Sequence, residues 1–438
     1  MDTTIYQRPA EILQHLIRFD TTNPPGNEGE CIGWVERLFR DSGFKTQILA
    51  KTSDRPNLIV RLPGEGKAPP LLVYGHVDVV TTEGQDWEHP PFGGDIVDNF
   101  IWGRGALDMK GGVAMMISGL LKLKSEGITP PGDIILAIVC DEENAGLFGS
   151  RFLVEEHPEQ FENVRYAIGE FGGFNLEISG KKFYAIQIAE KQICWIRAKI
   201  HGQAGHGSMV NQGGAMAKLA ELLKSLDENL LPVHVVPGVR EMFIVMANGL
   251  SFPANFLIRQ MLNPGLTDLV LKILGENGNL FKPLLRNTVN ATIVHGGNKI
   301  NVLPSEIILD LDGRLLPGFA PEDLLVEINQ LLKMDVEFEV VFHDPGPSDP
   351  DMGLYDTLGD ILKNLDPEGI PFPLVLQGVT DGRFFSQLGI QTYGFTPMQL
   401  PPDMNFSKTI HAANERIPVA AVEFGAEAMF QAMQQFHA

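Results

Sequence analysis

Histidine and carboxylate side chains stand at the ends of two apolar runs in this chain. Leu71-Leu72-Val73-Tyr74-Gly75 is followed at once by His76-x-Asp78, and the run Ile134–Val139 leads through Cys140 to Asp141-Glu142-Glu143. Both runs are typical of buried strands, whose C-terminal ends form the ligand-binding edge of open α/β sheets. A histidine and several carboxylates at such an edge are costly to bury unless a metal or protons compensate them. The pattern predicts a metal site, most simply one for two ions.

The acidic residues need separate roles in such a site. Glu142 and Glu143 are adjacent residues leaving a strand, so their side chains point in different directions. One can then bind metal while the other takes a proton from an acidified water and passes it to a leaving amine. Asp108 precedes a predicted helix over 109–126, and it either caps that helix or bridges two cations with one oxygen on each. Taken alone, the acidic triplet also fits an ordinary turn.

Three further positions complete the set. A neutral imidazole is a good zinc ligand whose second nitrogen needs an acceptor, so Asp78 is a candidate for orienting His76. Glu170 follows a predicted strand over 164–169 and is a further possible ligand. His411 lies in a polar loop before an apolar helix. Each residue alone fits a surface loop, so the prediction depends on their occurring together, in order, at strand and helix boundaries.

Composition and charge limit the class of protein. The chain has 438 residues, which suggests two or more domains, and 44% hydrophobic with 20% charged residues is typical of a globular protein. A formal net charge of -21 argues against a nucleic-acid partner, since phosphate binding needs a basic face. Bound divalent cations would neutralise part of this acidity.

The cellular setting is predicted from three features. The start, Met1-Asp2-Thr3-Thr4, lacks a basic region and an apolar core, so no signal peptide is predicted. No apolar run reaches membrane-spanning length, so no membrane partner is predicted. Cys31, Cys140 and Cys194 are far apart and odd in number, which favours small buried side chains over a disulfide framework. Together these features predict a cytoplasmic protein.

The order of predicted elements divides the chain into two domains. Alternating strands and helices over 1–188, resuming over 344–438, predict an α/β domain with a mixed or parallel sheet covered by helices. Residues 189–343 follow another pattern, which predicts a small α+β domain inserted into the first. The strands predicted in this insertion are 194–201, 288–295, 305–312 and 335–342, and the helices are 215–226 and 321–333.

Two stretches of the inserted domain lack a regular pattern. Residues 202–207 are rich in glycine and are predicted to be a flexible loop. About 229–287 is predicted to be an irregular insert rich in Pro, Phe and Leu, with helical patches near 254–262 and 266–274. Its apolar content indicates either a hydrophobic group in the ligand or packing and subunit contacts of the insert itself.

Taken together, these segments resemble the aminoacylase, glutamate carboxypeptidase and succinyl-diaminopimelate desuccinylase family of co-catalytic zinc hydrolases. The resemblance covers nearly the whole chain in the family's order. The matching segments are GHVDVV (75–80), WEHPPFGG (87–94), IWGRGALDMKGG (101–112), DEENAGLFGS (141–150), GQAGHGS (202–208), GGNKINVLP (296–304), DGRLLPG (312–318), TDGRFF (380–385) and HAANERI (411–417). The long insert is similar to that of the larger-lidded branch, the carboxypeptidase S-like and N-acyl-amino-acid hydrolases. The resemblance implies a zinc-peptidase-like mixed sheet and an inserted lid and dimerisation domain.

The resemblance also implies two metal ions per chain. The implied ligands are His76, Asp108 and Glu170 for one ion, and Asp108, Glu143 and His411 for the other. Asp108 would bridge the two ions, Glu142 would be the general base and then the general acid, and Asp78 would orient His76. The ions would be zinc, although cobalt or manganese fits similar nitrogen and oxygen ligands.

Residues outside the ligand sets are implied to bind the substrate. In dimeric members the counterpart of His206 reaches the partner subunit's active site and stabilises the oxyanion, which implies a homodimer. Asn301 and Arg314 would bind the substrate carboxylate or a nearby carbonyl, a task that suits the forked guanidinium. A structural salt bridge is the alternative for Arg314. Gly378 and Thr380 would line the site.

The implied function is hydrolysis of an amide or peptide bond next to a free carboxylate, in a dipeptide or an N-acyl amino acid. Two departures from the family pattern, Thr81 for a frequent proline and Val379 for a second glycine, involve no implied ligand. The alternatives are a deacylase of acylated diamino acids, a nucleophile enzyme built on Ser208 and His206, and a non-catalytic metal-binding dimer. No G-x-S-x-G segment surrounds Ser208, and a pure binder has no use for Glu142 as a base.

Overall fold

The computed structural model describes residues 2–332, 334, 336–347 and 349–437, which separate into two units. The first unit comprises Met1–Ile188, Pro350–Leu374 and Thr380–Ala438. The second unit comprises Ala189–Asp349 and Val375–Val379. In sequence, therefore, the second unit is an insertion into the first.

The elements are named here in chain order. The helices are α1 (Pro9–Ile17), α2 (Gly29–Asp41), α3 (Lys110–Ser125), α4 (Ser150–Glu156), α5 (Ala215–Glu228), α6 (Pro237–Gly249), α7 (Ala254–Gln260), α8 (Pro264–Leu274), α9 (Glu276–Asn279), α10 (Pro321–Leu332), α11 (Tyr355–Leu365), α12 (Gly382–Ser386), α13 (Phe406–Thr409) and α14 (Val419–Gln435). The strands are β1 (Lys45–Ala50), β2 (Pro56–Leu62), β3 (Leu71–His76), β4 (Asp95–Val97), β5 (Phe100–Trp102), β6 (Ile134–Val139), β7 (Tyr166–Gly169), β8 (Asn175–Ile178), β9 (Lys181–Glu190), β10 (Gln192–His201), β11 (Gly205–His206), β12 (Thr288–Gly296), β13 (Val302–Leu303), β14 (Glu306–Leu315), β15 (Glu337–His343), β16 (Ile370–Leu376), β17 (Gln391–Gly394) and β18 (Arg416–Pro418).

The larger sheet has the strand order β1-β2-β6-β3-β7-β17-β9-β16. β3 pairs in parallel with β6 and β7, whereas β2 pairs antiparallel with β1 and β6. The prediction of a mixed sheet is therefore confirmed. In the register of β3 and β6, His76 lies beside Val139. Because parallel strands end at the same edge of a sheet, His76, the turn after Val139 and Glu170 after β7 meet there.

Both faces of the central strands are covered, which explains why they are apolar throughout. Every residue of β3 and β6 is buried, as expected of parallel strands between helical layers. On one face, Leu72 and Tyr74 belong to a core cluster with Phe152 of α4 and Phe385 of α12. α3 lies against β3 from the other side and packs on α14. Gly119 permits this crossing, since a Cβ there would lie 2.9 Å from the backbone nitrogen of Phe430.

The second unit is built on an antiparallel sheet with the order β12-β14-β10-β15. Alternate residues of β14 point into a core that α5 and α10 complete. The members of that core from these three elements include Ile307, Leu309, Leu311, Leu219, Leu222, Leu324 and Ile328. β12 forms an edge of this sheet, and most of its residues are exposed. The strand predicted from residue 335 is observed as β15, and residue 335 itself lies outside the described residues.

The prediction of an irregular stretch ahead of residue 254 was wrong, because the chain forms helix α6 there. Pro237 occupies the first turn, where a missing amide hydrogen has no cost. Four apolar residues then recur at helical spacing and are buried; they are Val239, Met242, Phe243 and Met246. The helical spacing is present in the sequence, but the Pro and Phe residues around it favoured an irregular segment. The two predicted helical patches correspond to α7 and α8.

The glycine-rich stretch 202–207 is not entirely a loop. Gly205–His206 forms the short strand β11, which pairs antiparallel with Val302–Leu303 of β13. A two-residue strand depends on a partner distant in the sequence, so no local pattern announces it.

Membrane and disulfide predictions can be compared with the described residues. Within these residues, no helix is both long and apolar enough to cross a membrane. Cys31, Cys140 and Cys194 are free and buried, as predicted.

Candidate metal centre

His76 ends strand β3 and is almost completely buried, with 1% of its surface exposed. Its Nδ1 lies 3.0 Å from the backbone oxygen of Asp78, which fixes the ring from one side. Its Nε2 faces two carboxylates, lying 3.2 Å from Glu170 Oε2 and 3.3 Å from Asp108 Oδ1. An imidazole nitrogen and two carboxylate oxygens thus converge on one point, as ligands of a single ion would.

His411 forms a second convergence with the other oxygen of Asp108. His411 Nε2 lies 3.1 Å from Asp108 Oδ2 and 3.2 Å from Glu143 Oε1. His411 has a φ of 60°, a left-handed conformation that histidine tolerates better than most side chains. The loop after α13 therefore turns sharply at the residue that carries the imidazole. Asp108 lies between the two histidines, with one oxygen directed to each.

The turn that carries Glu142 and Glu143 is held by a buried carboxylate. Asp141 adopts a φ of 68° directly after β6 and its Cys140 extension. Asp78 then accepts hydrogen bonds from the backbone amides of Glu142 and Glu143, both at 3.1 Å. The side chain of Asp78 is 3.6 Å from His76 Nδ1, longer than a hydrogen bond. The Asp78 carboxylate therefore holds the acidic turn and lies close to the imidazole, and its role in orienting His76 stays a prediction. The backbone oxygen of Asp78 contacts the ring.

Proximity alone does not assign the two glutamates. Glu142 Oε2 lies 3.9 Å from His76 Nε2. His76, Glu142 and Glu143 form a third group whose potential ligand atoms lie within 4.8 Å of one another, beside the two groups that share Asp108. Glu142 and Glu143 nevertheless point in different directions, since Glu143 faces His411 and Glu142 does not.

Burial and charge shift the pKa values of both histidines. Burial lowers the pKa of His76, but the carboxylates of Asp108, Asp78 and Glu170 outweigh it and raise that pKa well above its ordinary value. The carboxylates of Asp108 and Glu143 raise the pKa of His411 to about 10. In each histidine the Nε2 nitrogen therefore faces negative charge, and that nitrogen is where a cation would bind.

The pKa values of the two glutamates also rise, but here burial is the main cause. Burial, together with the charge of Glu170, raises the pKa of Glu142 well above its ordinary value. Burial also raises the pKa of Glu143. Carboxylates this close together cannot all ionise unless cations compensate them.

The donor set fits divalent cations. Among the described residues, Glu143 Oε1 is buried and makes no hydrogen bond, although it lies 3.2 Å from His411 Nε2. A buried carboxylate oxygen without a donor is costly, and a metal bond would satisfy it. Imidazole with carboxylate is a common ligand combination for zinc, and it also suits other transition metals.

A buried network behind the acidic turn was missed by sequence reasoning. Asn23 Nδ2 donates to Asp78 Oδ2 at 2.9 Å and to Asp141 Oδ1 at 3.0 Å. Arg55 donates a hydrogen bond of 3.0 Å to Asp141 Oδ1 and two hydrogen bonds of 2.8 Å to the carboxylate of Glu28. Asn23 lies in a segment whose prolines and glycine indicate only a turn. The sequence carries no signal that these residues meet.

Asp381 supports the Glu170 side of the centre, and Thr380 precedes it in the chain. Thr380 is buried, and its Oγ1 accepts a hydrogen bond from the Gly382 amide at 3.0 Å. The backbone amide of Asp381 donates to Glu170 Oε1 at 3.3 Å. Burial and the charge of Glu170 raise the pKa of Asp381 to about 7. Asp381 was not among the predicted site residues, although the segment 380–385 was recognised.

The remaining predicted residues lie in the second unit. His206 is exposed on β11, with Nδ1 2.7 Å from Ser208 Oγ. Asn301 is exposed, and its backbone oxygen accepts from the Gly207 amide at 2.9 Å. Arg314 on β14 pairs with Asp312 through bonds of 2.9 and 3.2 Å. The structure thus brings His206 and Asn301 together, and it gives Arg314 an ion-pair partner. Gly378, in the return segment Val375–Val379, also belongs to this unit.

The fold and the centre define a class. A mixed α/β sheet that gathers histidines and carboxylates into two groups sharing one aspartate is typical of a metal-dependent hydrolase. The sequence signature of peptidase family M20/M25/M40 matches residues 72–435, and the chain belongs to this family. The predicted resemblance is confirmed, and the protein is a metal-dependent amidohydrolase.

Two of the similar proteins bear the names of the branch that the sequence suggested. The human N-fatty-acyl-amino acid synthase/hydrolase PM20D1 is 30% identical over 379 residues, which are 83% of this chain and 74% of that protein. The probable carboxypeptidase S-like 2 of Dictyostelium discoideum is 27% identical over 371 residues, 80% of this chain and 68% of that protein. The crystal structure of human carnosine dipeptidase 1 has a TM-score of 0.65 at 15% identity and covers 99% of this chain and 97% of that chain. This last similarity concerns the fold alone.

Proposed function

We propose that this enzyme hydrolyses the amide bond of an N-acyl amino acid, or the peptide bond of a dipeptide, next to a free carboxylate. The observation that carries the proposal is Asp108, whose two oxygens face His76 and His411 at 3.3 and 3.1 Å. A carboxylate placed in this way is suited to bridge two ions. The names of the similar proteins, an N-fatty-acyl-amino acid hydrolase and a carboxypeptidase S-like protein, support a substrate with a free carboxylate.

Two zinc ions are proposed as the cofactors. The residues that would hold them are His76, Asp108 and Glu170 for the first and Asp108, Glu143 and His411 for the second. When bound, the ions would acidify a water and polarise the scissile carbonyl. Cobalt or manganese would suit the same ligands.

Glu142 is proposed as the general base. It lies on the same turn as Glu143, and Asp78 holds the backbone of both residues. Its side chain is 14% exposed, so it is largely buried and yet reachable by a water. Glu142 would take the proton from the attacking water and pass it to the leaving amine.

Substrate contacts are proposed for the second unit. Arg314 would bind the substrate carboxylate with its guanidinium fork, and Asn301 would bind a nearby carbonyl. His206 would stabilise the oxyanion, and Gly378 would line the site together with Thr380, which belongs to the first unit. The exposed position of His206 and its contact with Ser208 leave its Nε2 as the nitrogen for that task.

A homodimer formed through the second unit is also proposed. β12 is an edge strand with exposed apolar side chains, including Ile293 at 50% and Val294 at 49%. An open edge of this kind can pair with another strand. A second copy of the chain offers the same strand, so a two-fold axis would satisfy both edges.

The helical insert supports an apolar acyl group in the substrate. Phe252 and Phe256 around the start of α7 and Leu269 and Ile273 on α8 are each more than half exposed. Large exposed apolar side chains at one segment are typical of a surface that binds an apolar group. Together with the N-fatty-acyl-amino acid hydrolase among the similar proteins, they support a fatty acyl chain in the substrate, and subunit contacts are the alternative use of this surface.

The test measures metal content and hydrolysis together. Zinc per chain is quantified in purified protein, and N-acetyl amino acids, long-chain N-acyl amino acids and dipeptides are compared as substrates with and without chelator. The proposal expects close to two ions and amino-acid release that chelator stops and zinc restores. An N-acyl amino acid amide, which lacks the free carboxylate, is the matched poor substrate. Absence of turnover after zinc is restored would reject the proposal and favour a metal-binding dimer.

A further inference from the structure

Glu415 is a fully buried carboxylate that binds the loop carrying Asp108. Its Oε1 accepts from the backbone amides of Leu107 at 2.8 Å and Asp108 at 3.2 Å. Its Oε2 accepts from the Gly105 amide at 3.1 Å and from Arg104 Nη1 at 2.7 Å. Both oxygens are therefore fully used by donors on the segment 104–108. Since a carboxylate on backbone amides fixes the peptide planes, the direction of the Asp108 side chain follows from Glu415.

Arg104 acts in the other direction, on the loop carrying His411. Its Nη1 donates to the backbone oxygen of Ala412 at 3.1 Å, and its Nη2 lies 3.3 Å from the backbone oxygen of His411. Gln85 joins them, since it accepts from Arg104 Nη2 at 2.8 Å and donates to the same His411 oxygen at 2.9 Å. Arg104 is 1% exposed and Glu415 is 0% exposed, so water does not compete for these bonds.

The two loops are thus held by exchanged side chains. The loop with Asp108 contributes Arg104, which holds the backbone at His411, and the loop with His411 contributes Glu415, which holds the backbone at Asp108. The 2.7 Å bond between Arg104 and Glu415 closes the arrangement. From this geometry we infer that the Arg104–Glu415 pair is a positioning device for the second metal ion, the one proposed for Asp108, Glu143 and His411. The inference rests on the proposed two-metal function.

The first ion has different support. His76 is held through the backbone oxygen of Asp78, and Glu170 through the Asp381 amide. Neither contact involves Arg104 or Glu415. The first ion depends on the Arg104–Glu415 pair only through Asp108, whereas the second ion depends on it through both Asp108 and His411. Disturbing the pair should therefore lower the affinity for the second ion more than the affinity for the first.

Stability alone does not explain a buried pair of this kind. Burying two charges is costly, and replacing such a pair with apolar side chains is often neutral for folding. Here the carboxylate instead satisfies three backbone amides of a ligand loop. Groups that orient metal ligands typically change metal affinity by about 10–100-fold when they are removed.

Three variants test the inference in the full-length enzyme. Glu415→Gln keeps the size but replaces one acceptor oxygen with a donor, so it cannot accept all four bonds. Arg104→Lys keeps the charge but loses the fork. Gln85→Ala removes one bond to the His411 backbone at a half-buried position and leaves the ion pair in place. The control is Asp366→Asn, because Asp366 is another nearly buried carboxylate of the first unit with several donors, including Lys182 and Tyr184, and no bond to a ligand loop.

The readout is zinc titration of the metal-free proteins by calorimetry, with urea unfolding measured in parallel. The inference expects Glu415→Gln and Arg104→Lys to weaken binding of the second zinc about 10–100-fold and to weaken binding of the first zinc, which shares only Asp108, clearly less. Gln85→Ala should lower the affinity for the second zinc by a smaller factor, and Asp366→Asn should leave the affinities for both zinc ions unchanged. Activity of Glu415→Gln should return when zinc is raised, which a purely structural defect would not allow.

Three outcomes overturn the inference. One is wild-type affinity for both ions in Glu415→Gln and Arg104→Lys. Another is an equal loss of affinity for both zinc ions in these variants. The third is the same loss of zinc affinity in Asp366→Asn when that variant loses as much unfolding free energy. If the wild-type protein itself binds fewer than two zinc ions, the proposed two-metal function fails first. That result is separate from an effect of the variants.

Discussion

The carboxylate of Asp108 lies against the imidazole of His411, with Oδ2 3.1 Å from Nε2, while its other oxygen faces His76. These residues come from distant parts of the chain and meet at one point. The geometry makes Asp108 the residue on which both proposed ions depend. Each further ligand belongs to one ion alone.

Metal stoichiometry therefore distinguishes the ligands. Asp108→Ala is expected to lose both ions, because each would lose one of its three protein ligands. His411→Ala is expected to retain one ion, bound by His76, Asp108 and Glu170. Zinc per chain after dialysis against a fixed free-zinc buffer measures the difference. Equal zinc content in the two variants would contradict a bridging role for Asp108.

Glu142→Gln separates catalysis from metal binding. The amide keeps the shape of the side chain but cannot take a proton, so kcat is expected to fall by about 10²–10⁴-fold. Zinc content should remain that of the wild type, because Glu142 belongs to neither proposed ligand set. Normal turnover, or loss of one zinc, would show that Glu142 is not the base or is itself a ligand.

Ser208→Ala is the companion variant for Glu142→Gln. Ser208 Oγ lies 2.7 Å from His206 Nδ1, a contact that resembles a serine nucleophile with its base. The metal mechanism expects the Ser208 variant to retain most of its activity. Collapse of turnover in Ser208→Ala alongside full activity in Glu142→Gln would favour the serine class.

The strand ends that carry the centre were predictable from sequence because their pattern is local. β3 and β6 are short apolar runs, His76 is the last residue of β3, and Glu142 comes three residues after the end of β6. Glu415 and Arg104 were not predictable as a pair, since each looks like an ordinary charged loop residue. Their meeting depends on the pairing of β18 with β5, which brings Arg416 opposite Trp102. A single sequence records no such long-range contact.

Arg314 offers a choice between substrate binding and a structural ion pair. If it binds the substrate carboxylate, Arg314→Ala raises KM by about 10–100-fold, since a charged hydrogen bond contributes about 1.5–3 kcal/mol. Asp312→Ala breaks the same ion pair but leaves the guanidinium, so its KM should stay near the wild-type value. Steady-state kinetics on an N-acyl amino acid and on its amide, which lacks the carboxylate, makes the comparison. Similar small losses of stability in both variants, with KM unchanged, would support the ion pair alone.

Lys191 makes stability of the second unit dependent on pH. Its Nζ is buried and donates to the backbone oxygens of Pro283 and Arg286 and to Thr288 Oγ1, at 3.1, 3.0 and 3.0 Å. None of these partners carries a negative charge. Burial, together with the nearby charge of Arg314, lowers the pKa of Lys191 from 10.5 to about 7. The unfolded chain therefore holds a proton on this lysine over a pH range in which the folded chain does not.

The sign of the effect follows from proton binding. Between pH 7 and 10.5 the unfolded state binds more protons, so the free energy of unfolding rises with pH. Lys191→Met lacks this dependence. The unfolding free energy of the wild type minus that of Lys191→Met should rise by about 1 kcal/mol per pH unit between roughly pH 7.5 and 9.5. Urea unfolding at three pH values in this window measures it.

Lys199→Met is the matched control for the Lys191 effect. Lys199 lies on the same strand, β10, and its hydrogen bonds to Glu337 and Glu339 raise its pKa above the ordinary value. It stays protonated in both the folded and the unfolded chain across the window, so its difference from the wild type should not change with pH. A flat difference for Lys191→Met as well would mean that the buried amine keeps its proton, held by its three neutral oxygen acceptors. The pH dependence would then have to come from other groups.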